Sequence, residues 1–166
     1  KHWAYGAYSF GEGALGPQPW IAYAPVQIDK TAPAVAEMRR EIVDFVTGSK
    51  PATAAELARV KDNETRSLPG NFETASAVLG QIAGMVTYDR GDDYAQRKPA
   101  IIDAVSLDQV GRAAAIIKPT SLTWVVVGDL KKIEAPIRAL NIGQVTVIDA
   151  DGKPVAPAPA KPVRGI

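Results

Sequence analysis

The histidine content limits the chemistry that this chain of 166 residues can perform by itself. His2 is its single histidine, and the chain contains no cysteine. A zinc peptidase helix needs two histidines, spaced as H-E-x-x-H or H-x-x-E-H, and serine or cysteine triads also need a histidine base. We therefore expect no zinc site within this chain, and we assign His2 to a packed or solvated strand edge.

Gly11, Gly13 and Gly16 follow a predicted strand with the spacing G-x-G-x-x-G. In a dinucleotide-binding fold, a helix starts directly after such a loop and places its N-terminus at the pyrophosphate. Here Pro17 and Pro19 follow, and then a strand-like run, so no helix begins at this point. The glycines therefore predict the turn of a β-hairpin rather than a nucleotide site.

A group of acidic residues surrounds Gly91, namely Asp89, Asp92 and Asp93. Carboxylates in such a group could hold a cation. A polar turn between two helices accounts for the same residues without a ligand, and we favour that interpretation. Asp129, which follows an apolar run, fits the N-terminal cap of a helix better than a catalytic acid.

Aromatic residues are concentrated in the stretch WAYGAYSF at residues 3–10. Alternation places Trp3 and Tyr5 on one face of a strand and Tyr8 on the other. The formal net charge is +1 and no block of like charges accompanies these rings, which argues against nucleic acid as a partner. Core packing accounts for half of these rings, and the alternative is that one face of this strand meets a ligand or a partner domain.

The elements that must position these residues change from strands to helices and back along the chain. Residues 2–10 and 19–27 indicate a hairpin, and residues 122–128 and 144–149 indicate later strands, the first of them buried on both faces. The intervening helical patterns predict helices that begin near Thr31, Thr53, Asn71, Asp93, Ser106 and Asp129, the first of them ending at Gly48. This order favours an α+β fold with helices packed on one face of a mostly antiparallel sheet.

The composition divides the chain into two parts. Residues 1–151 contain the α+β pattern, whereas residues 152–166 are rich in proline and alanine and predict an extended or disordered tail. No apolar run reaches the length of a membrane span, so we expect no membrane insertion. The chain starts at Lys1 without an initiator methionine or a signal-like region, which we interpret as a piece of a longer protein.

Four segments in this order resemble the second-domain segment of the insulinase/pitrilysin-type metallopeptidases, the inverted zincins. They are WAYGAYSF, APVQIDKTAPAV, SLPGNFETASAV and VVVGDL, and the resemblance extends to about Asp151. It is similar to the C-terminal, metal-free domain of bacterial peptidases that resemble mitochondrial processing peptidase. The resemblance implies one α+β half of a clamshell, present here as an incomplete domain.

The resemblance also implies a role for Tyr5. In this family the metal-free half contributes an Arg–Tyr pair to the substrate, and the tyrosine corresponds to Tyr5. The matching arginine would be the third residue before Lys1 and is not in this sequence. Tyr5 would face the chamber between the halves and donate a hydrogen bond to the oxyanion that forms on the peptide carbonyl.

The expected function follows from this family. The parent protein would be a zinc endopeptidase for peptides or unfolded polypeptides, with zinc held by another half of the same chain or by a partner subunit. The present chain alone would be inactive, and the export of many bacterial relatives favours the periplasm. Two alternatives are a non-catalytic scaffold or core subunit of the same family and an unrelated α+β domain that binds a small ligand.

Overall fold

A computed structural model of the chain describes residues 1–11 and 13–155. Near its start, strands β1 (Tyr8–Gly11) and β2 (Trp20–Tyr23) pair antiparallel, with Tyr8 opposite Tyr23 and Gly11 opposite Trp20. The predicted hairpin is therefore confirmed, although its strands are shorter than expected. A separate antiparallel bridge joins Ala4 to Val26.

Gly6 separates the bridge from the paired strands. A Cβ atom added to Gly6 would lie 2.5 Å from the hydroxyl of Tyr8, so the Tyr8 phenol fills the space that a side chain would need. The backbone bends at Tyr5, and regular pairing begins only at Tyr8. The prediction of one continuous strand over residues 2–10 is therefore wrong, since Ala4 forms only an isolated bridge and the backbone bends on both sides of it.

Six α-helices and three short 3-10 helices together make up just over half of the remaining described structure. Three of the α-helices pack around a small centre, and the helix Ala54–Arg66 packs on the helix Tyr94–Asp103. Short 3-10 helices cover Ile28–Lys30, Pro69–Phe72 and Pro119–Ser121. The helices are α1 (Thr31–Thr47), α2 (Ala54–Arg66), α3 (Ala75–Thr87), α4 (Tyr94–Asp103), α5 (Leu107–Ala114) and α6 (Leu130–Ala139).

Short polar side chains start several helices as the sequence predicts. The Thr53 hydroxyl accepts the Glu56 amide at 3.2 Å, and the Ser106 hydroxyl accepts the Gln109 amide at 3.2 Å. Both form complete capping boxes, since each glutamate or glutamine also binds the cap backbone. Asp129 caps α6, and Gly48 ends α1 in the left-handed conformation with φ 77°.

Two predicted caps are wrong. Thr31 is already helical, and its hydroxyl donates to the Ile28 carbonyl at 2.9 Å instead of accepting a helix amide. Asn71 lies within the 3-10 helix Pro69–Phe72, where Pro69 starts a separate turn. Thr74 caps α3 in its place and accepts the Ala77 amide at 3.1 Å.

The buried centre of the described residues is small. Ala32, Ala114 and Ile133 are each only 5–6% exposed and come from α1, α5 and α6. The backbone before α6 also approaches closely, since a Cβ atom at Gly128 would lie 3.1 Å from Cδ1 of Ile133. These three helices therefore enclose the most deeply buried apolar side chains among the described residues.

The later predicted strands lie outside any regular ladder within the described residues. Residues 122–127 form no helix, turn or paired strand, and Leu122 has extended dihedral angles of −73° and 136°. Their predicted burial on both faces is wrong, because Val125 is 79% exposed and Val127 is 91% exposed. Residues 144–149 pair only locally, through an Ile148–Pro154 bridge.

The fold is thus α+β in the general sense, with helices and a small two-stranded antiparallel sheet. The half-clamshell architecture stays a prediction. Residues 152–155 of the expected tail join the local pairing, since the Val155 amide donates to the Val147 carbonyl at 2.8 Å. The rest of that tail lies outside the described residues. Within residues 1–11 and 13–155, no helix combines the length and apolar character needed to cross a membrane.

Candidate functional site

The Tyr5 groove is an open cavity of about 540 Å³ at the start of the chain. Its lining is His2, Trp3, Ala4, Tyr5, Pro25, Val26 and Gln27. Two polypeptide segments therefore form its walls: the bent segment before β1 and the segment that follows β2. The groove includes the one residue, Tyr5, to which the resemblance assigns a role.

Backbone pairing fixes the two walls of the Tyr5 groove against each other. The Gln27 amide donates to the Trp3 carbonyl at 3.0 Å, and Ala4 bridges to Val26. These contacts hold the segments on either side of Tyr5 at strand spacing. Pro25 lacks an amide donor, which suits a position beside a short bridge rather than within a long ladder.

Tyr5 itself projects fully into solvent. Its relative exposure is 105%, so almost nothing in the described chain covers the ring. No side-chain hydrogen bond of its hydroxyl exists within the described residues. A phenol normally finds a polar partner when it is buried, and this one is available to donate to a molecule in the groove.

Ion pairs connect the groove to helix α1. The Lys1 ammonium lies 2.8 Å from a Glu37 carboxylate oxygen and 4.9 Å from the centroid of the Trp3 ring. The Arg40 guanidinium binds the other Glu37 oxygen at 2.8 Å. A hydrogen bond from Arg40, and a smaller contribution from a hydrogen bond from Lys1, lower the pKa of Glu37 to about 2. Glu37 is therefore ionised at neutral pH and holds Lys1 beside the groove.

His2 also lines the groove, in a left-handed backbone conformation with φ 53°. The sequence assigned it to a strand edge, and its place before the Ala4–Val26 bridge agrees with a site just outside regular pairing. Trp3 and Tyr5 both line the groove, but so do His2 and Ala4, which the alternation placed on the opposite face, so the groove does not follow the predicted strand faces. Tyr8 does not line it, because its ring lies over Gly6.

The glycine-rich loop and the acidic group around Gly91 both lie in turns, as the sequence predicts. No helix follows Gly16 before β2, so the loop belongs to the hairpin. The residues around Gly91 form the predicted turn between α3 and α4. Asp93 pairs with Arg97 at 2.8 Å, and Arg90 stacks over the Tyr94 ring at 4.4 Å.

Metal-ligating side chains are dispersed in the described part of the chain. Within residues 1–11 and 13–155, no three histidine, cysteine, aspartate or glutamate side chains come close enough to hold a metal ion. Zinc therefore does not fit any donor set described here.

A second groove was not anticipated from the sequence. It has a volume of about 470 Å³ and lies between the end of α1 and the start of α5. Phe45 and Leu107, both at helix ends, contribute its largest apolar side chains. The sequence shows two adjacent helix ends but not their approach in space, so it carries no direct signal for this groove.

The chemistry of the Tyr5 groove follows from its own residues rather than from a known relative. No protein-family model and no curated protein matches this chain. What the groove offers chemically is an exposed phenol, an indole ring, an imidazole and the exposed amide of Gln27. These groups can donate hydrogen bonds to carbonyl oxygens and cover apolar side chains, which are the two needs of a bound peptide.

Proposed function

We propose that this chain is the substrate-binding, metal-free part of a zinc-dependent endopeptidase that acts on peptides or unfolded polypeptides between two halves. The observation that carries the proposal is the fully exposed Tyr5 hydroxyl beside a groove of about 540 Å³. The resemblance of the four sequence segments supplies the reaction class. In this proposal zinc belongs to the complementary half, as the resemblance implies.

Tyr5 acts as a hydrogen-bond donor in this function. When a peptide carbonyl is attacked, negative charge develops on its oxygen, and a positioned O–H group stabilises that charge more than it stabilises the neutral substrate. The phenol of Tyr5 has no competing partner in the described chain, so its proton is available to the substrate. Removal of one such donor typically lowers kcat by about 10²–10³.

The rest of the Tyr5 groove serves to orient the peptide. The Trp3 indole gives a flat apolar surface, which Lys1 steadies from one side at 4.9 Å. The side-chain amide of Gln27 can donate to and accept from a peptide backbone, because this side chain is exposed. The backbone amide of Gln27 is already bonded to the Trp3 carbonyl. Such contacts recognise an extended chain rather than one particular side chain.

The test is Tyr5→Phe in the chain combined with its metal-bearing half. We expect kcat for a fluorogenic peptide to fall about 10²–10³-fold, with KM changed little and the zinc content unchanged. Tyr23→Phe is the matched control, since Tyr23 is 55% exposed but lies outside the groove. Equal kcat for Tyr5→Phe and wild type would refute the role of Tyr5. An assembled wild type without peptidase activity would favour a scaffold subunit.

A further inference from the structure

Residues 149–153 form an exposed turn that is organised by one carboxylate. The Asp149 side chain accepts the amide of Asp151 at 2.9 Å and the amide of Lys153 at 2.8 Å. The Asp149 amide donates to the Lys153 carbonyl at 2.9 Å, and the Gly152 amide donates to the Asp149 carbonyl at 3.1 Å. An aspartate whose side chain binds amides further along the chain is typical of a turn. Asp149 is therefore held in place by the turn that it organises.

Asp151, in the same turn, has a free side chain. Its side chain is 77% exposed, and the Lys153 ammonium lies 4.0 Å away, beyond hydrogen-bond distance. The amides of the turn bind Asp149 instead, so the Asp151 carboxylate accepts no hydrogen bond among the described residues. The next residue is Gly152, in the left-handed conformation with φ 78°. Asp151 is the only aspartate or asparagine of the 166-residue sequence that precedes a glycine.

We propose that Asp151 and Gly152 are a site of spontaneous backbone modification, at which the aspartate becomes isoaspartate. The Gly152 nitrogen attacks Cγ of the neutral Asp151 carboxyl group, and a C–N bond forms. The amide proton and the carboxyl hydroxyl leave as water, and a five-membered succinimide ring remains. Water then adds to one of the two ring carbonyl carbons and breaks its bond to nitrogen. Opening at the main-chain carbonyl leaves Gly152 attached through Cγ, which is isoaspartate, whereas opening at Cγ restores aspartate.

The surroundings of the two aspartates in this turn favour ring closure at Asp151. Gly152 carries no Cβ that would hinder the approach of its nitrogen to the carboxyl carbon, and the Asp151 side chain is free to rotate. The Gly152 amide gives up one hydrogen bond in an exposed turn, and such a turn opens locally at low cost. Asp149 differs on both counts, because Ala150 follows it and two amides hold its carboxylate.

The modification changes the length of the turn. Isoaspartate inserts a methylene group into the main chain, so one more backbone atom separates the Asp149 amide from the Lys153 carbonyl that it binds. The next bond beyond the turn, from the Val155 amide to the Val147 carbonyl at 2.8 Å, depends on the same register. Isoaspartate formation therefore loosens both bonds, and the local pairing of this part of the chain is lost with them.

This proposal is independent of the peptidase proposal. The test incubates the 166-residue chain at 37 °C and mildly acidic pH in water enriched in ¹⁸O, because ring closure requires the neutral carboxyl group. Electron-transfer dissociation mass spectrometry then locates isoaspartate. We expect isoaspartate with one ¹⁸O atom at residue 151 and none at Asp149. The rate in the folded chain is expected to lie within about tenfold of the rate in urea, since the fold adds one exposed hydrogen bond to break.

Asp151→Glu is the matched variant, because it keeps the charge but cannot close a five-membered ring. We expect this variant to form no isoaspartate at residue 151. In the modified wild type, we expect the amides of Asp149 and Val155 to exchange hydrogen roughly fivefold faster than before incubation. The proposal would be overturned by aspartate alone at residue 151, by equal isoaspartate at residues 149 and 151, or by a folded-state rate far more than tenfold below the rate in urea. Unchanged exchange of both amides in the modified chain would overturn the proposed effect on the turn.

Discussion

The ammonium of Lys1 and the carboxylate of Glu37 lie 2.8 Å apart, which joins the first residue of the Tyr5 groove segment to helix α1. The same ammonium lies over the Trp3 ring, whose backbone carbonyl binds the Gln27 amide. Arg40 binds the other oxygen of Glu37. One carboxylate thus connects a wall of the groove to a long helix.

This relationship predicts an acid-sensitive groove. In the folded chain, hydrogen bonds from Arg40, the larger contribution, and from Lys1 lower the pKa of Glu37 from its ordinary value of 4.5 to about 2. Because the folded-state pKa is lowered, the ionised carboxylate stabilises the fold at pH values above 4.5. This contribution disappears as the pH falls through about 2. We expect the carbonyl ¹³C resonance of the Glu37 side chain to titrate near that lower value. A midpoint near 4.5 would show that the ion pairs do not form in solution.

Glu37→Gln tests the same contact at neutral pH. The substitution removes the charge of Glu37, so Lys1 is held less firmly over the Trp3 ring. We expect the backbone amide of Gln27, which bonds to the Trp3 carbonyl, to exchange its hydrogen faster. Glu73→Gln is the matched control, because Glu73 forms no ion pair within the described residues. Equal exchange rates in the two variants would contradict an anchoring role for Glu37.

The helix boundaries show which features the sequence could reveal. A helix cap contacts only the turn of helix beside it, so short-range sequence patterns are enough to predict it. The caps predicted in this way are Thr53, Ser106, Asp129 and Gly48. Alternation of apolar and polar residues does not encode the bend at Tyr5, so it predicted one strand where the structure has a bridge, a bend and a short strand. The burial of residues 122–128 was overestimated because a strand needs partners distant in sequence, and an apolar run does not identify them.

The same short-range signals predict opposite effects for two glycines. Gly48→Ala forces a Cβ into a left-handed residue with φ 77° and is expected to cost about 1 kcal/mol. Gly80→Ala places a methyl group in open space inside α3 and is expected to stabilise by about 0.5–1 kcal/mol. Hydrogen exchange of the α1 and α3 amides checks both signs. The same sign for both variants would contradict these backbone assignments.

The capping box of α5 gives a local stability prediction. Ser106→Ala removes the acceptor of the Gln109 amide and is expected to cost about 1 kcal/mol, which is roughly fivefold faster exchange in α5. Ser76→Ala is the control, because Ser76 is exposed within α3 and makes no cap contact. Exchange in α5 that is unaffected by Ser106→Ala would show that this capping box does not persist in solution.

The small centre of the chain makes Ile133 the most sensitive apolar position among the described residues. Ile133 is 5% exposed on α6, and its Cδ1 atom lies against the backbone of Gly128. Truncation to alanine removes buried apolar surface and leaves a cavity, so we expect a loss of about 2–5 kcal/mol. Ile133→Val should cost only about 0.5–1.5 kcal/mol.

Ile116→Ala is the matched control for this last prediction, since Ile116 is 79% exposed and its truncation is expected to change stability by less than about 0.5 kcal/mol. Urea unfolding followed by circular dichroism at 222 nm compares the three variants. The order Ile133→Ala, Ile133→Val, Ile116→Ala from largest to smallest loss is expected. If Ile116→Ala is the most destabilising, Ile116 is covered in solution, and the packing centre is not the meeting point of α1, α5 and α6.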